Sequence, residues 1–330
     1  MLSEGKKLAM IGAAVLLFYS LCRAPADGAG EKALPAHREA PYAASEGVTA
    51  PQAREEPPLQ APPSAPEERE ESFFAPSQAE MAVAMTIGDT AMLKNETGYP
   101  VDADAVERGG TSIRLAAEGP QILIIHTHSS EAYTPSGLDR YEPSDTTRTE
   151  DPAYNIIRVG DELTRLLEKA GLRVIHDRGV YDYPSYTGSY GRSGAMVEQY
   201  LRDYPSISVV LDVHRDALGT DGVIYKTVAE ETGTCASQAM LLVGTDESGL
   251  EHPRWRENLS LALYLQRAIF ETYPTLMRPI ALVPQRYNQQ LCTGMLILEV
   301  GSSGNTLQEA LAAIRLFAAA AAPALLSLVE

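Results

Sequence analysis

Ile122-Leu123-Ile124-Ile125-His126-Thr127-His128-Ser129-Ser130-Glu131 is the stretch on which the reading of this chain turns. Four apolar residues in succession, without polar alternation, predict a short strand buried on both faces. Residues that bind metals and move protons follow at once. Downstream, Asn155 to Ala170 places Ile156, Val159, Leu163 and Leu166-Leu167 at helical spacing, and Gly171 ends the pattern. Leu172–Ile175 reads as a second strand, Gly191–Arg202 as a second helix and Ile207–Val213 as a third, central strand. Further strands are expected near Val223–Ala229 and Met240–Val243, and a helix across Trp255–Tyr273. A last strand, Met295–Val300, leads to an Ala-rich helix from Thr306 to Ala321. Strands alternating with helices imply an α/β fold, an open and mostly parallel mixed sheet with helices on both faces. Ligands of such sheets gather beyond the carboxyl ends of the strands.

Three strand ends carry metal-type residues. His126, His128 and Glu131 follow the first strand, His214 follows the third in Asp212-Val213-His214-Arg215-Asp216, and Glu299 sits in the last. Three of the six histidines fall in this set, while His37, His176 and His252 lie in poorer settings. Catalytic zinc takes three ligands from His and carboxylate and keeps one position open. A further carboxylate can take a proton from water acidified by the metal to a pKa of about 7 and give it to a leaving amine. His128, Glu131, His214 and Glu299 supply that inventory. His126 is also a candidate for first ligand, because residues two apart share a face while a strand persists, although the H-x-x-E spacing favours His128. Arg215 is a candidate to stabilise an oxyanion or hold a substrate carboxylate, or else to pair with Asp212 or Asp216. No G-x-S-x-G elbow surrounds Ser129 and Ser130, which argues against a serine nucleophile.

Four blocks closely resemble the stage II sporulation protein P family. They are Ile124–Tyr133, Tyr154–Leu163, Pro184–Tyr190 and Leu211–Ala217, within a match from roughly Met92 to Ala320. The resemblance implies a zinc-dependent N-acetylmuramoyl-L-alanine amidase that also acts as an endopeptidase on peptidoglycan crosslinks. Its setting would be engulfment during endospore formation, at the membrane between mother cell and forespore, with stage II sporulation proteins D and M as partners. The implied fold is similar to zinc amidases of the third type and, more distantly, to zinc carboxypeptidases. In the latter an H-x-x-E pair, a later His and a late Glu base follow in the order of His128, Glu131, His214 and Glu299. The third-type amidases draw the Glu ligand from further along, which here points to Glu150 or Asp151 instead of Glu131. A carboxypeptidase-type peptidase and a non-catalytic wall-binding module are the alternatives. Tyr183, Tyr186, Tyr190, Arg286 and Asn288 are candidate groove residues.

The rest of the chain suits an exported enzyme. Lys6 and Lys7 precede an apolar run from Leu8 to Cys22, read as a single-pass membrane anchor or a signal segment over residues 1–23. Residues 24–80 hold ten of the 22 prolines with much Ala and Glu, a composition that predicts a disordered linker. A flexible chain of that length reaches about 40 Å. Residues 81–330 are left for the catalytic domain, its core from about 118. A formal charge of −17 without a basic cluster excludes a nucleic-acid binder. Cys22, Cys235 and Cys292 are too scattered for a disulfide framework or a cysteine metal site.

Overall fold

The computed structural model describes residues 84–87, 91–144, 147–219, 223–231, 233 and 235–330. The anchor or signal segment at 1–23 and the linker at 24–80 lie outside them. The described elements run β1 (Ala84–Ile87), β2 (Met92–Asn95), α1 (Ala103–Gly109), β3 (Ile122–Ile125), α2 (Ile156–Ala170), β4 (Val174–His176) and α3 (Ser189–Asp203). They continue with β5 (Val209–Asp216), β6 (Ala239–Gly244), α4 (Trp255–Phe270), β7 (Ile280–Val283), β8 (Met295–Ser302) and α5 (Leu307–Leu326).

All eight strands join one sheet in the order β1-β2-β7-β6-β8-β5-β3-β4. The block β8-β5-β3-β4 is parallel throughout. Strands β2, β7 and β6 are parallel to one another, and β6 meets β8 antiparallel. The expected α/β fold with a mostly parallel mixed sheet is therefore the observed one. After β3 the chain moves to β4 on one side, then returns to β5 on the other. The crevice beyond the carboxyl ends of β3 and β5 is thus a topological switch point, where such sheets bind ligands.

The two faces of the sheet are covered unequally. Ile156, Val159, Leu163 and Leu167 of α2, Leu259 and Leu263 of α4, and Leu311 and Ile314 of α5 pack on Ile122, Ile124, Leu211, Val213, Leu296 and Leu298. Val197 of α3 packs on the other face with Leu123, Ile125, Val210 and Met295. Side-chain parity along β3 and β5 hence decides which layer a residue enters. Helix ends follow local chemistry. The Asn155 side chain accepts from Ile157 N, Gly171 takes a left-handed φ of 107°, and Thr306 with Glu309 forms a capping box. Helix α5 is long and apolar enough to span a membrane, yet 61% of its apolar window is buried in the protein, and it reads as a core helix.

Strands β1 and β2 and helix α1 carry too short a pattern to have been read from the sequence, and the short apolar run of β7 was passed over. Ala91, Leu93, Ala103, Ile113 and Leu115 nevertheless enter the main core. The strand expected at Val223–Ala229 is absent: Val223, Ile224, Tyr225 and Val228 are exposed, and only Ala229 makes a bridge, to Ala236. Asn305 and Ser302 take the backbone groups a ladder would have used. Asn305 Oδ1 accepts from Thr227 N, Asn305 Nδ2 donates to Thr227 O, and Ser302 Oγ donates to Tyr225 O.

Gly160, on the sheet-facing side of α2, is a packing residue. A Cβ here would meet Nε2 of His176 at 2.6 Å, and Nε2 of His126 closer still. A helical Gly→Ala change ordinarily gains about 1 kcal/mol, whereas overpacking costs about 1–3 kcal/mol. Gly160→Ala is expected to lower the urea midpoint of unfolding, and a raised midpoint would contradict the packing described. Glu162 pairs with Arg165 of its own helix at 2.9 Å and ties α2 to α5 through Arg315 at 2.7 Å. The Arg165 hydrogen bond, with Arg315 helping against burial, depresses its carboxyl to about 2. That contribution exists above the unfolded value near 4.5 and disappears as pH falls towards 2. Both arginines are half-exposed, so it is worth about 0.5–1 kcal/mol. Glu162→Gln should be less stable than the parent at pH 7, with the gap closing by pH 2 in acid-unfolding curves.

Candidate metal centre

The strand β3 stops at Ile125, and the turn through Thr127–Ser130 changes the direction of every side chain after it. Up to that point parity holds. His126 extends the row of Ile122 and Ile124 and enters the α2 layer, fully buried. Its Nδ1 lies 2.8 Å from Val213 O and its Nε2 2.9 Å from His176 Nε2. Burial, with the neighbouring His176, pushes its pKa down to about 3. A neutral, doubly engaged imidazole on the wrong face of the sheet is a core residue, so His126 does not join the other candidates. His176, which showed no partner in sequence, also meets Asp161 Oδ1 at 3.2 Å.

Thr127 points to the α3 layer. It donates Oγ1 to Asp212 Oδ2 at 2.6 Å and its backbone N to Asp212 Oδ1 at 2.8 Å. The turn then swings His128 and Glu131 to that same side. There His214, two residues beyond Asp212 on β5, also projects. His128, Glu131 and His214 converge: one ligand atom from each lies within 4.8 Å of the other two, and all three residues are buried. His128 Nδ1 is 3.5 Å from Glu131 Oε1, and His214 Nδ1 is 3.3 Å from Glu131 Oε2. A tetrahedral ion with bonds of roughly 2.0–2.2 Å separates its ligands by about 3.3–3.6 Å, and this buried nitrogen, nitrogen and oxygen set, within 4.8 Å of one another, could hold a metal ion of that kind.

The other ring nitrogens are held from behind. His128 Nε2 is 3.2 Å from Ser189 Oγ at the start of α3. His214 Nε2 lies 2.9 Å from Asp212 Oδ1, an ion-pair contact and not an aligned hydrogen bond. Burial opposes charge on His214, yet Asp212 and Glu131 together raise its pKa well above the usual histidine range. Burial likewise works against the Glu131 carboxylate. Contacts from His128 and His214, and the charges of His214 and Arg215, still hold it well below the usual value. A cation among these groups would take the place of the ring protons facing Glu131.

Glu299 on β8 is in register with His214 on β5. It is buried, and its Oε2 has no hydrogen-bond partner among the described residues. Burial, reinforced by Asp216 and Glu131 against the opposing pull of His214, pushes its carboxyl up to about 8. Such a carboxyl beside a cation site is suited to taking and returning a proton.

Arg215 is not free to meet a substrate. Its Nε donates to Ala132 O at 2.9 Å, and its Nη2 to Thr147 O and Oγ1 at 3.1 Å each. It forms no ion pair with Asp212 or Asp216, and acts as a buried clamp on the loop after Glu131. Glu150 and Asp151 are exposed, with Asp151 Oδ1 accepting from Ala153 N, so the nearby carboxylate is Glu131. Ser129 and Ser130 donate to Asp182, at 2.9 and 2.6 Å. Asp182 also pairs with Arg148 at 2.8 Å. Sequence reasoning missed Asp182 and Arg148, since no spacing links residues so far apart. Of the groove candidates, Tyr186 stacks on His128 with ring centroids 4.5 Å apart, and Tyr190 meets the same ring edge-on at 5.5 Å. Asn288 Nδ2 donates to Tyr190 O, while Arg286 reaches only Glu251 O. Tyr183 is half-exposed.

Among solved structures, the chain is similar to the N-acetylmuramoyl-L-alanine amidase AmiC2 of Nostoc punctiforme, at 14% identity and a TM-score of 0.38, over 64% of this chain and 98% of that one. It is also similar to the CwlD amidase of Clostridioides difficile in complex with the GerS lipoprotein, at 12% identity and 0.39, over 64% and 98%. Likenesses this loose carry no inference about activity. No curated protein matches significantly in sequence. The profile of stage II sporulation protein P, by contrast, matches residues 36–322. That match spans most of the sequence, and the chain belongs to the stage II sporulation protein P family.

Proposed function

We propose that this chain is a zinc-dependent peptidoglycan hydrolase, an N-acetylmuramoyl-L-alanine amidase that works in engulfment during endospore formation. The observation that carries it is the convergence of His128, Glu131 and His214 at the switch point, with the unpartnered Glu299 carboxyl in register beside them. Membership of the sporulation family supports cell wall as the substrate and sporulation as the setting. We propose further, from the resemblance alone, attachment through residues 1–23 and work beside stage II sporulation proteins D and M.

His128 and His214, each through Nδ1, and Glu131 would hold the zinc. A bound zinc ion would supply Lewis acidity, polarising the lactyl amide carbonyl and acidifying water. Glu299 takes the proton of the attacking water. The same carboxyl returns that proton to the departing L-alanine nitrogen as the C–N bond breaks. Asp212 and Ser189 fix the orientation of the two imidazoles, and Arg215 fixes the loop that carries Glu131.

The purified chain should release stem peptides from peptidoglycan, exposing new amino groups without new reducing ends. Chelator should abolish release, and added zinc should restore it. Glu299→Gln should keep its zinc and lose on the order of 10²–10⁴ in kcat, whereas normal turnover in that variant would remove the base assignment. Asp212→Asn keeps the shape and removes the charge behind His214. Its zinc affinity, read by competition with a chromogenic chelator, should fall about 10–100-fold, and parental affinity would show Asp212 to be a core residue only.

A further inference from the structure

Hydrolysis of an amide builds negative charge on the carbonyl oxygen, and a stem peptide brings carboxylates of its own, so the site calls for a cation with a donor edge open beside the cluster. Three guanidinium groups come near. That of Arg215 is occupied by backbone carbonyls. That of Arg278 sits 2.6 Å from the Asp216 carboxylate. Arg148 is paired as well, to Asp182 at 2.8 Å, but its guanidinium alone of the three also lies against a member of the cluster, 3.6 Å from Glu131 Oε1.

Its Nη1 donates to Asp182 Oδ2 at 2.8 Å and to Ser130 Oγ at 3.1 Å, which anchors one edge of the fork. Its Nη2 forms a loose ion pair with Glu131 Oε1 at 3.6 Å and makes no hydrogen bond among the described residues. Its Cζ is 5.0 Å from the centre of the Tyr186 ring, which stacks in turn on His128. The side chain is 19% exposed, against 7% for His128 and Glu131, so it stands at the mouth of the cluster. The backbone sets it there under strain. Thr147, immediately before it, has a φ of 53°, a left-handed conformation that a β-branched residue adopts at a cost. Arg215 and the backbone N of Ala132 hold the Thr147 carbonyl in that state.

We infer that Arg148 is a substrate-binding residue, whose Nη edge holds an anionic oxygen of the substrate beside the Glu131 carboxylate. The inference rests on the amidase reading. The oxygen is either that of the developing oxyanion or a carboxylate of the stem peptide.

The test uses the full chain loaded with zinc and two probes, N-acetylmuramyl-L-alanyl-D-glutamate and its α-amide. Arg148→Lys keeps a cation for Asp182 but not the planar fork. Arg148→Gln removes the charge, and Asp182 keeps its donors from Ser129 and Ser130. Arg148→Gln combined with Asp182→Asn removes the pair together, should the single change unfold. Thermal midpoint and zinc content are read for each variant, and the kinetics are taken on those that match the parent. If the oxyanion is held, kcat falls about 10²–10³-fold for both probes with KM unchanged. If a carboxylate is held, KM rises at least tenfold for the acid and the parent's preference for acid over amide is lost. Either result supports the inference. Folded, zinc-loaded variants that cleave both probes within twofold of the parent overturn it and leave the amidase reading intact. A parent chain that cleaves neither probe overturns both, and is a distinct outcome.

Discussion

A carboxylate taken out of water must be met by charge or hydrogen bonds, or it will not stay ionised. Glu131 is that carboxylate here, and the architecture at the carboxyl ends of the strands is organised around it. Its two oxygens face two imidazoles, one from the same turn and one from β5. The backbone N of Arg215 adds a direct donor at 3.1 Å. Without a cation this arrangement relies on protonated histidine. With one, the same three groups become its ligands and leave a coordination position open.

The neighbouring polar residues make sense as support for that set. Thr127 and Asp212 tie the turn after β3 to β5 and sit behind His214. Ser129, Ser130, Asp182 and Arg148 tie the same turn to the loop before α3. Arg215, whose expected role the geometry does not favour, uses its guanidinium to hold the loop on the far side. None of these groups is a spare. Each would be a buried polar atom in search of a partner if its neighbour were removed.

Much of the fold could be read from residues alone because its central elements carry strong patterns. Strand β3 is an uninterrupted apolar run, α2 has a clean helical stripe between Asn155 and Gly171, and β5 and β8 are long and β-branched or aliphatic. Strands β1 and β2 were not legible, since four residues of mixed composition look like any loop, whereas β7 carries an apolar run, Ile280–Val283, as short as that of β3 and was passed over. Val223–Ala229 shows the opposite error: its apolar residues suggested a strand, but Asn305 and Ser302, far along the chain, capture its backbone.

What the sequence determined by itself was the inventory. Imidazoles and carboxylates stand at three strand ends, in an order that matches a sporulation family and with a composition unfit for nucleic acid. Only the tertiary structure decided which members of that inventory meet. His126 and His128 are two residues apart and chemically identical. A strand that ended one turn later would have placed both in the α2 layer, away from Asp212 and His214. The strand stops at Ile125, so His126 stays in the core behind Gly160 while His128 crosses to the site. Arg148 and Asp182 entered the picture for the same reason: a contact between residues 34 positions apart has no periodicity to announce it. It exists because packing closes the loops on which they sit.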